Sequence, residues 1–183
     1  MLYLASASPR RKELLSLITL DFQIEVPAVN ERLIDDFLLP ERLSYEEARL
    51  KAYAVFAKHP SDMVLAADTI VLLDGKVLGK PGDAKHAKAM LKEESGKKQV
   101  VLTSYTFVKP GVEISRTVKS VVYFNPLTDE MIDHYIKVYR PFDKAGGYGI
   151  QDEAGLIDHI EGSYHNVMGL PTEDLMRHVK PYL

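Results

Sequence analysis

Two charged features of this chain require an answer from its fold. Arg10, Arg11 and Lys12 stand directly behind Ser6-Ala7-Ser8-Pro9, and Asp68 interrupts an apolar run that begins at Met63 and resumes at Ile70 after Thr69. The first stretch has the chemistry of an anion site. Ser8 is a good N-cap, and Pro9 suits the first helical position, where a missing N–H costs nothing. Ser6, Ser8 and the helix N-terminus supply donors and the three cations supply charge, with phosphate the obvious guest. Basic side chains there face the positive end of the helix dipole, so they need either solvent or an anion. A solvated cap is the bland alternative.

Asp68 poses the opposite problem. Met63-Val64-Leu65-Ala66-Ala67 and Ile70-Val71-Leu72-Leu73 read as a buried central strand. A carboxylate there must be satisfied by hydrogen bonds, a cation or a metal, because burying the bare charge is expensive. Lone aspartates at strand ends ordinarily cap turns, yet the better turn residue, Asp74 before Gly75, comes six positions later. Lys51 is a candidate partner. It stands beside the small and apolar Ala48, Ala52 and Val55, where a lysine ordinarily snorkels to water. Lys80 precedes Pro81, which holds it extended and aims it away from the following helix. In Asp143-Lys144-Ala145-Gly146-Gly147-Tyr148-Gly149-Ile150-Gln151, three of the chain's eleven glycines fall within four positions, which lets backbone approach a ligand closely.

The elements that must position these groups alternate. A short strand at Leu2-Tyr3-Leu4-Ala5 leads into the Ser8-capped helix, whose buried face is expected to hold Leu14, Leu17 and Ile18. Phe22-Gln23-Ile24-Glu25-Val26 alternates as a strand, and an acidic connection with Glu31, Asp35, Asp36 and Glu41 follows. Ser44 and Glu47 form a capping box for a helix running to about Lys58. After the buried strand, Asp74-Gly75 turns into Lys76-Val77-Leu78. Asp83 caps a helix over 84–94 that Gly96 ends. Residues 99–109 and 112–124 form a long hairpin around Pro110-Gly111, and Thr128 caps a helix ending near Arg140-Pro141. A strand over 156–160, a loop over 162–169 and a helix opening at Leu170-Pro171 complete one mixed α/β domain over residues 1–183.

Composition narrows the partners. The 183 residues are 46% hydrophobic and 27% charged, enough for an ordinary globular core. With no cysteine, disulfides and thiolate metal sites are excluded. The six histidines show no metal-ligand spacing and read as surface residues. No apolar run approaches the ~20 residues that cross a bilayer. Charge follows the first apolar segment instead of preceding it, so a cytoplasmic protein without a signal peptide or membrane partner is expected. A net charge of −3 argues against a general nucleic-acid binder, so an anionic ligand must be small and held by local cations.

Several separate stretches resemble the Maf nucleotide pyrophosphatases. They are, in order, Ser6-Ala7-Ser8-Pro9-Arg10-Arg11, Ala67-Asp68-Thr69, Lys80-Pro81, the segment from Asp143 to Gln151, and Asn166-Val167-Met168-Gly169-Leu170-Pro171. The chain departs from the pattern at Glu47, where that family usually has leucine ahead of its alanine and Lys-Ala pair, here Ala48 and Lys51-Ala52. The resemblance implies an ITPase/Maf-like fold, a central mixed sheet flanked by helices. It also implies hydrolysis of a nucleoside triphosphate to the monophosphate and pyrophosphate, with Mg²⁺ or Mn²⁺.

In that reading Asp68 is the general base that activates water, and Lys51, Lys80 and the metal stabilise phosphate charge. Glu31 and Asp68 supply oxygen ligands to the metal. Ser6, Ser8, Arg10 and Arg11 hold the substrate. Members acting on dTTP and UTP carry arginine after Ser-Pro, threonine after the catalytic aspartate and glutamine after Gly-Ile, which are Arg10, Thr69 and Gln151 here. An amide donor and acceptor suit the edge of thymine or uracil. The rivals are a nucleotide-binding regulator of cell division without turnover and a pyrophosphatase for purine or methylated nucleotides. A homodimer is also implied.

Overall fold

The computed structural model describes residues 1–29 and 39–183, and of Glu41 the backbone alone. In chain order the elements are β1 (Leu2–Leu4), α1 (Pro9–Ser16), β2 (Gln23–Ile24), α2 (Pro40–Phe56), β3 (Met63–Leu73), β4 (Lys76–Leu78) and α3 (Ala84–Glu94). Then come β5 (Lys98–Lys109), β6 (Val112–Phe124), α4 (Asp129–Tyr139), β7 (Ile157–Glu161), α5 (Tyr164–Met168) and α6 (Thr172–His178). The strands form one mixed sheet in the order β2-β1-β3-β5-β6-β7, with β4 on β3. None of the described helices is long and apolar enough to cross a membrane.

The chain packs as two compact units, one of Met1–Thr69, Leu102–Val118 and His165–Leu183, the other of Ile70–Val101 and Lys119–Tyr164. In the first, β1 lies parallel to β2 on one side and β3 on the other, with Leu4 level with Ile24 and Leu65. Ala48, Ala52 and Val55 of α2 are fully buried. Ala52 and Val55 pack with Ala5, Val64, Ala66 and Val108. Small side chains on that face bring the helix backbone close to the sheet. At the C-terminal end, Asp174 of α6 accepts from the Tyr105 hydroxyl at 2.6 Å and Arg116 Nε at 2.7 Å.

In the second unit, Asp74 and Gly75 both take left-handed backbone, at φ 50° and 80°, to close the β3–β4 hairpin. Helices α3 and α4 are linked by Lys88 with Asp133 at 2.6 Å and Lys92 with Asp129 at 2.9 Å. Asp83 and Thr128 cap these helices as expected, accepting from the N–H groups of His86 and Met131.

Five sequence expectations differ from the structure. Helix α2 begins at Pro40, a turn ahead of Ser44, because proline is already shaped for a first helical residue. Ser44 is instead a buried mid-helix residue whose hydroxyl pairs with that of Ser104 at 2.8 Å. Helix α1 stops at Ser16, so its buried residues are Leu14 and Leu15 and Leu17 is 65% exposed. The strand expected over 22–26 pairs only at Gln23 and Ile24, since the three-residue β1 is the neighbour recorded for it. The loop expected over 162–169 holds α5, a helix too short for a hydrophobic period to register, bracketed by Gly162 and Gly169 at φ 100° and 116°. The histidines are not uniformly superficial: His59 is half-buried, stacked on Tyr3 at 4.0 Å and bonded to Glu25 at 2.6 Å.

The second unit also buries an acid. Glu94, the last residue of α3, is 0% exposed. Its Oε1 accepts from Gln99 Nε2 at 2.9 Å, and Oε2 meets no partner among the described residues. Burial pushes the carboxyl pKa well above the ordinary range; the Gln99 hydrogen bond opposes that shift and the charge of Glu93 adds to it. A carboxyl raised in the folded state binds its proton more tightly than the unfolded chain does. Its stability contribution is therefore complete below the ordinary carboxylate pKa and is lost as pH rises through the folded value. We expect Glu94→Gln to match the parent in melting temperature near pH 4 and to exceed it by a margin that widens with pH. A margin independent of pH would show that the carboxyl is not neutral in the fold.

Candidate active site

The candidate site begins where β1 stops and β3 continues. The Ala5 N–H donates to the Leu65 carbonyl at 2.8 Å, after which the chain leaves the sheet while β3 runs on through Asp68 and Thr69. Ligands of open α/β sheets gather beyond the carboxyl ends of parallel strands, which is where this turn lies. The turn is tied internally. Ser6 N–H donates to the Leu4 carbonyl at 3.0 Å, and Ser8 N–H donates to Ser6 Oγ at 3.2 Å. Ser8 caps α1 as expected, accepting from the Arg11 N–H at 3.4 Å.

The side chain of Arg11 meets three neutral oxygens around the serine turn. Its Nε donates to the Gly169 carbonyl at 2.9 Å, Nη2 to Thr69 Oγ1 at 3.1 Å and Nη1 to Ser6 Oγ at 3.5 Å. Proton directions can be assigned along the chain that follows. Thr103 Oγ1 donates to the Asn166 carbonyl at 2.8 Å, so in the 2.9 Å contact between the two threonine hydroxyls Thr69 is the donor. Arg11, Thr69 and Thr103 thus form one directed path that holds the 166–169 backbone against the serine turn. Gly169 is required there. Its φ is 116°, and a Cβ would stand 3.4 Å from Thr69 Oγ1 and 3.6 Å from Arg11 Nε.

Asp68 is 8% exposed, and Lys51 from α2 meets its Oδ1 at 2.6 Å. The side chains are 14% and 11% exposed, so lysine and aspartate neutralise each other largely out of water. The close seating of Ala48 and Ala52 brings the lysine within reach and draws it away from the snorkelling expected of such a position. A second carboxylate attends the same ammonium: Glu47, one turn back on α2, places Oε2 at 4.0 Å from Lys51 Nζ. Glu47 is therefore no capping-box partner. Its four-residue spacing from Lys51 was the available signal, masked by the Ser44–Glu47 pattern. Thr103 carried no sequence signal, because it is one of several polar residues in a strand rich in them.

The first unit therefore gathers Ser6, Ser8, Arg11, Lys51, Asp68 and Thr69. Arg10, beside them on α1, is half-buried and makes no side-chain hydrogen bond or ion pair among the described residues. Glu31 lies outside the described residues. Lys80 and Gln151 belong to the second unit, and both are exposed. The Gly146 N–H donates to the Gly79 carbonyl at 3.2 Å, which sets the segment leading into Lys80 against the glycine-rich segment. Gln151 sits in the 3₁₀ turn Ile150–Asp152.

The family profile described as Maf-like protein matches residues 1–181. The chain belongs to the Maf-like protein family. Relatives named dTTP/UTP pyrophosphatase align over most of both chains. The one from Thermococcus gammatolerans is 45% identical over 94% of this chain and 92% of its own. The one from Carboxydothermus hydrogenoformans is 44% identical over 99% and 98%. That from Thermotoga maritima is 42% identical over 92% and 82%. Among solved structures, a HAM1 protein from Coxiella burnetii superposes with a TM-score of 0.47 at 14% identity, over 67% of this chain and 72% of that one. That likeness is too loose to transfer a site.

In this Maf-like chain the Lys51–Asp68 pair is a stability element as well as a candidate for chemistry. Removing Lys51 strips Asp68 of the ammonium that neutralises it, at a cost of roughly 3–5 kcal/mol, trimmed here by residual exposure. We expect Lys51→Met to destabilise the fold by about 3 kcal/mol in urea unfolding, and Lys51→Met with Asp68→Leu to recover most of that loss. Additive effects of the two substitutions would show that the residues do not compensate each other.

Proposed function

We propose that this Maf-like protein hydrolyses nucleoside triphosphates, with dTTP and UTP preferred, to the nucleoside monophosphate and pyrophosphate. The observation that carries this reading is the end-to-end likeness to relatives named for that activity, 45% identical over 94% of the chain in the first case. The lysine–aspartate pair supplies chemistry that suits it. Water is a poor nucleophile near neutral pH and needs a positioned carboxylate. Lys51 occupies Oδ1 of Asp68, so Oδ2 is the oxygen left to take the proton. The water oxygen bonds to the α-phosphorus, the bond from that phosphorus to the bridging oxygen breaks, and pyrophosphate departs with the electron pair. Ser6, Ser8, the N-terminus of α1 and the guanidinium of Arg10 hold phosphate oxygens, and Lys51 offsets the charge gathering on the leaving group, a part that the resemblance alone also gives to Lys80. Arg11 acts one step back, by fixing the turn.

The donors suit a hard divalent cation. Asp68 and Glu47 offer carboxylate oxygens about Lys51, yet no group of three or more acidic or imidazole residues able to hold a metal occurs among the described residues. A cation here would complete its shell with phosphate oxygens and water, the habit of Mg²⁺ and Mn²⁺. Asp68 would hold it, with Glu31 on the resemblance alone, and when bound it supplies neutralisation of phosphate charge. On the same resemblance the enzyme is taken as a cytoplasmic homodimer, and a monomeric mass by light scattering would remove the dimer.

Pyrophosphate release across a panel of nucleotides tests the reading directly. We expect turnover of dTTP and UTP well above that of purine and methylated nucleotides, abolished by EDTA and restored by Mg²⁺ or Mn²⁺. Turnover of no nucleotide would leave a binding protein, and preference for 7-methyl-GTP would overturn the pyrimidine assignment. Asp68→Asn should remove turnover, by about a hundredfold or more, while nucleotide binding survives. Retained activity would take Asp68 out of the mechanism. Gln151→Glu exchanges an amide donor for a carboxylate, so the preference for dTTP and UTP should fall; an unaltered preference would mean that the base is read elsewhere.

A further inference from the structure

Glu94 presents a cost without an evident return. The second unit could have ended α3 in leucine, as it fills the neighbouring position Leu91, and spared itself a buried acid with one oxygen unsatisfied. What the acid touches supplies the reason. Gln99 Nε2 donates to Glu94 Oε1 at 2.9 Å, and Gln99 Oε1 accepts from the Tyr148 hydroxyl at 2.7 Å. Tyr148 is buried, its ring meeting that of Phe124 edge-on at 5.0 Å. The backbone of the glycine-rich segment passes directly over the acid. Gly146 has φ 76°, and a Cβ there would lie 3.3 Å from both Glu94 Oε1 and the Tyr148 ring.

The same segment is pinned a second time. Gly149 N–H donates to the Tyr135 hydroxyl at 2.8 Å, and that hydroxyl donates to Asp152 Oδ2. Lys144 Nζ lies 3.7 Å from the same oxygen. Between these anchors Gln151 is exposed, and among the described residues its side chain makes no hydrogen bond. A free amide is thus carried on backbone clamped at Gly146–Gly149 and again at Asp152. The upstream clamp ends at Glu94.

We propose that Glu94 is a positioning residue for substrate selection: acting through Gln99 and Tyr148, it fixes the backbone that presents Gln151 to the nucleobase. This rests on the reading of Gln151 given above. The direction in which burial pushes the acid, toward its neutral form, supports it. The groups acting on Glu94 are Gln99 and the negatively charged Glu93, and Tyr148, facing it through Gln99, is itself pushed toward its neutral form by burial. No cation among the described residues pairs with Glu94. As a neutral acid it lets Gly146 lie against it; as an anion it would draw water into the layer beneath the loop.

The test is steady-state pyrophosphate release from dTTP, UTP and dGTP at about pH 7 and about pH 9, with circular dichroism confirming the fold of each variant. Glu94→Leu and Tyr148→Phe should each raise KM for dTTP about threefold to tenfold, the scale of one lost hydrogen bond, and leave kcat within about twofold. They should also narrow the preference for dTTP over dGTP. Glu94→Gln, the shape of the neutral acid, should restore parental KM and preference near pH 7 and hold its KM at alkaline pH while that of the parent rises. Where Glu94→Leu fails to fold, Tyr148→Phe and the pH comparison of Glu94→Gln decide. If Gln151→Glu shifts the preference while the Glu94 and Tyr148 variants change only melting temperature, this proposal falls and the reading of Gln151 stands. If Gln151→Glu leaves the preference unmoved, both fall.

Discussion

The candidate site depends on one contact, the 2.6 Å pair between Lys51 and Asp68. A carboxylate inside a buried strand is tolerable only because an ammonium reaches it, and the ammonium reaches it only because α2 lies close on its alanines. The pair therefore constrains three things together: helix-to-sheet distance, the charge permitted in β3, and the place where a water could meet a base. Glu47 extends the arrangement, so that the lysine stands between two carboxylates.

A second principle is visible around Arg11. Its position in the first turn of a helix is electrostatically unfavourable, yet the chain retains it and aims it backward at the Gly169 carbonyl, Thr69 and Ser6. The cation serves as a clasp. Neighbouring Arg10 is left without such partners among the described residues and is the one whose charge is available. Two adjacent arginines of the same motif thus take different duties, set by which face of α1 each occupies.

Much of this was legible in the residues themselves. Asp68 stood out because it broke an apolar run, and Ser8-Pro9 announced the start of α1. Capping residues Asp83 and Thr128 and the Asp74-Gly75 turn marked their elements correctly, since such signals are local. What sequence could not convey was long-range. Ser44 looked like a cap because its partner, Ser104, is sixty positions away. Glu47 looked like the other half of a capping box because nothing local reveals that Lys51 faces a buried carboxylate. The two compact units were invisible for a related reason: their boundaries fall inside β3, β5, β6 and α5, where composition does not change. Gln99 gave no hint of mediating between an acid and a tyrosine, as an amide in a β-rich hairpin resembles any other polar strand residue.

The clasp from Arg11 to Gly169 joins residues 158 positions apart. During synthesis the serine turn and the start of α1 emerge 158 residues ahead of the backbone they close upon. Until then Arg11 has no Gly169 carbonyl to meet and Thr103 no Asn166 carbonyl. The serine turn consequently stays unfinished until residue 169 has been made. A chain cut short anywhere before residue 169 would carry Lys51 and Asp68 intact and still lack the surface against which the turn is set.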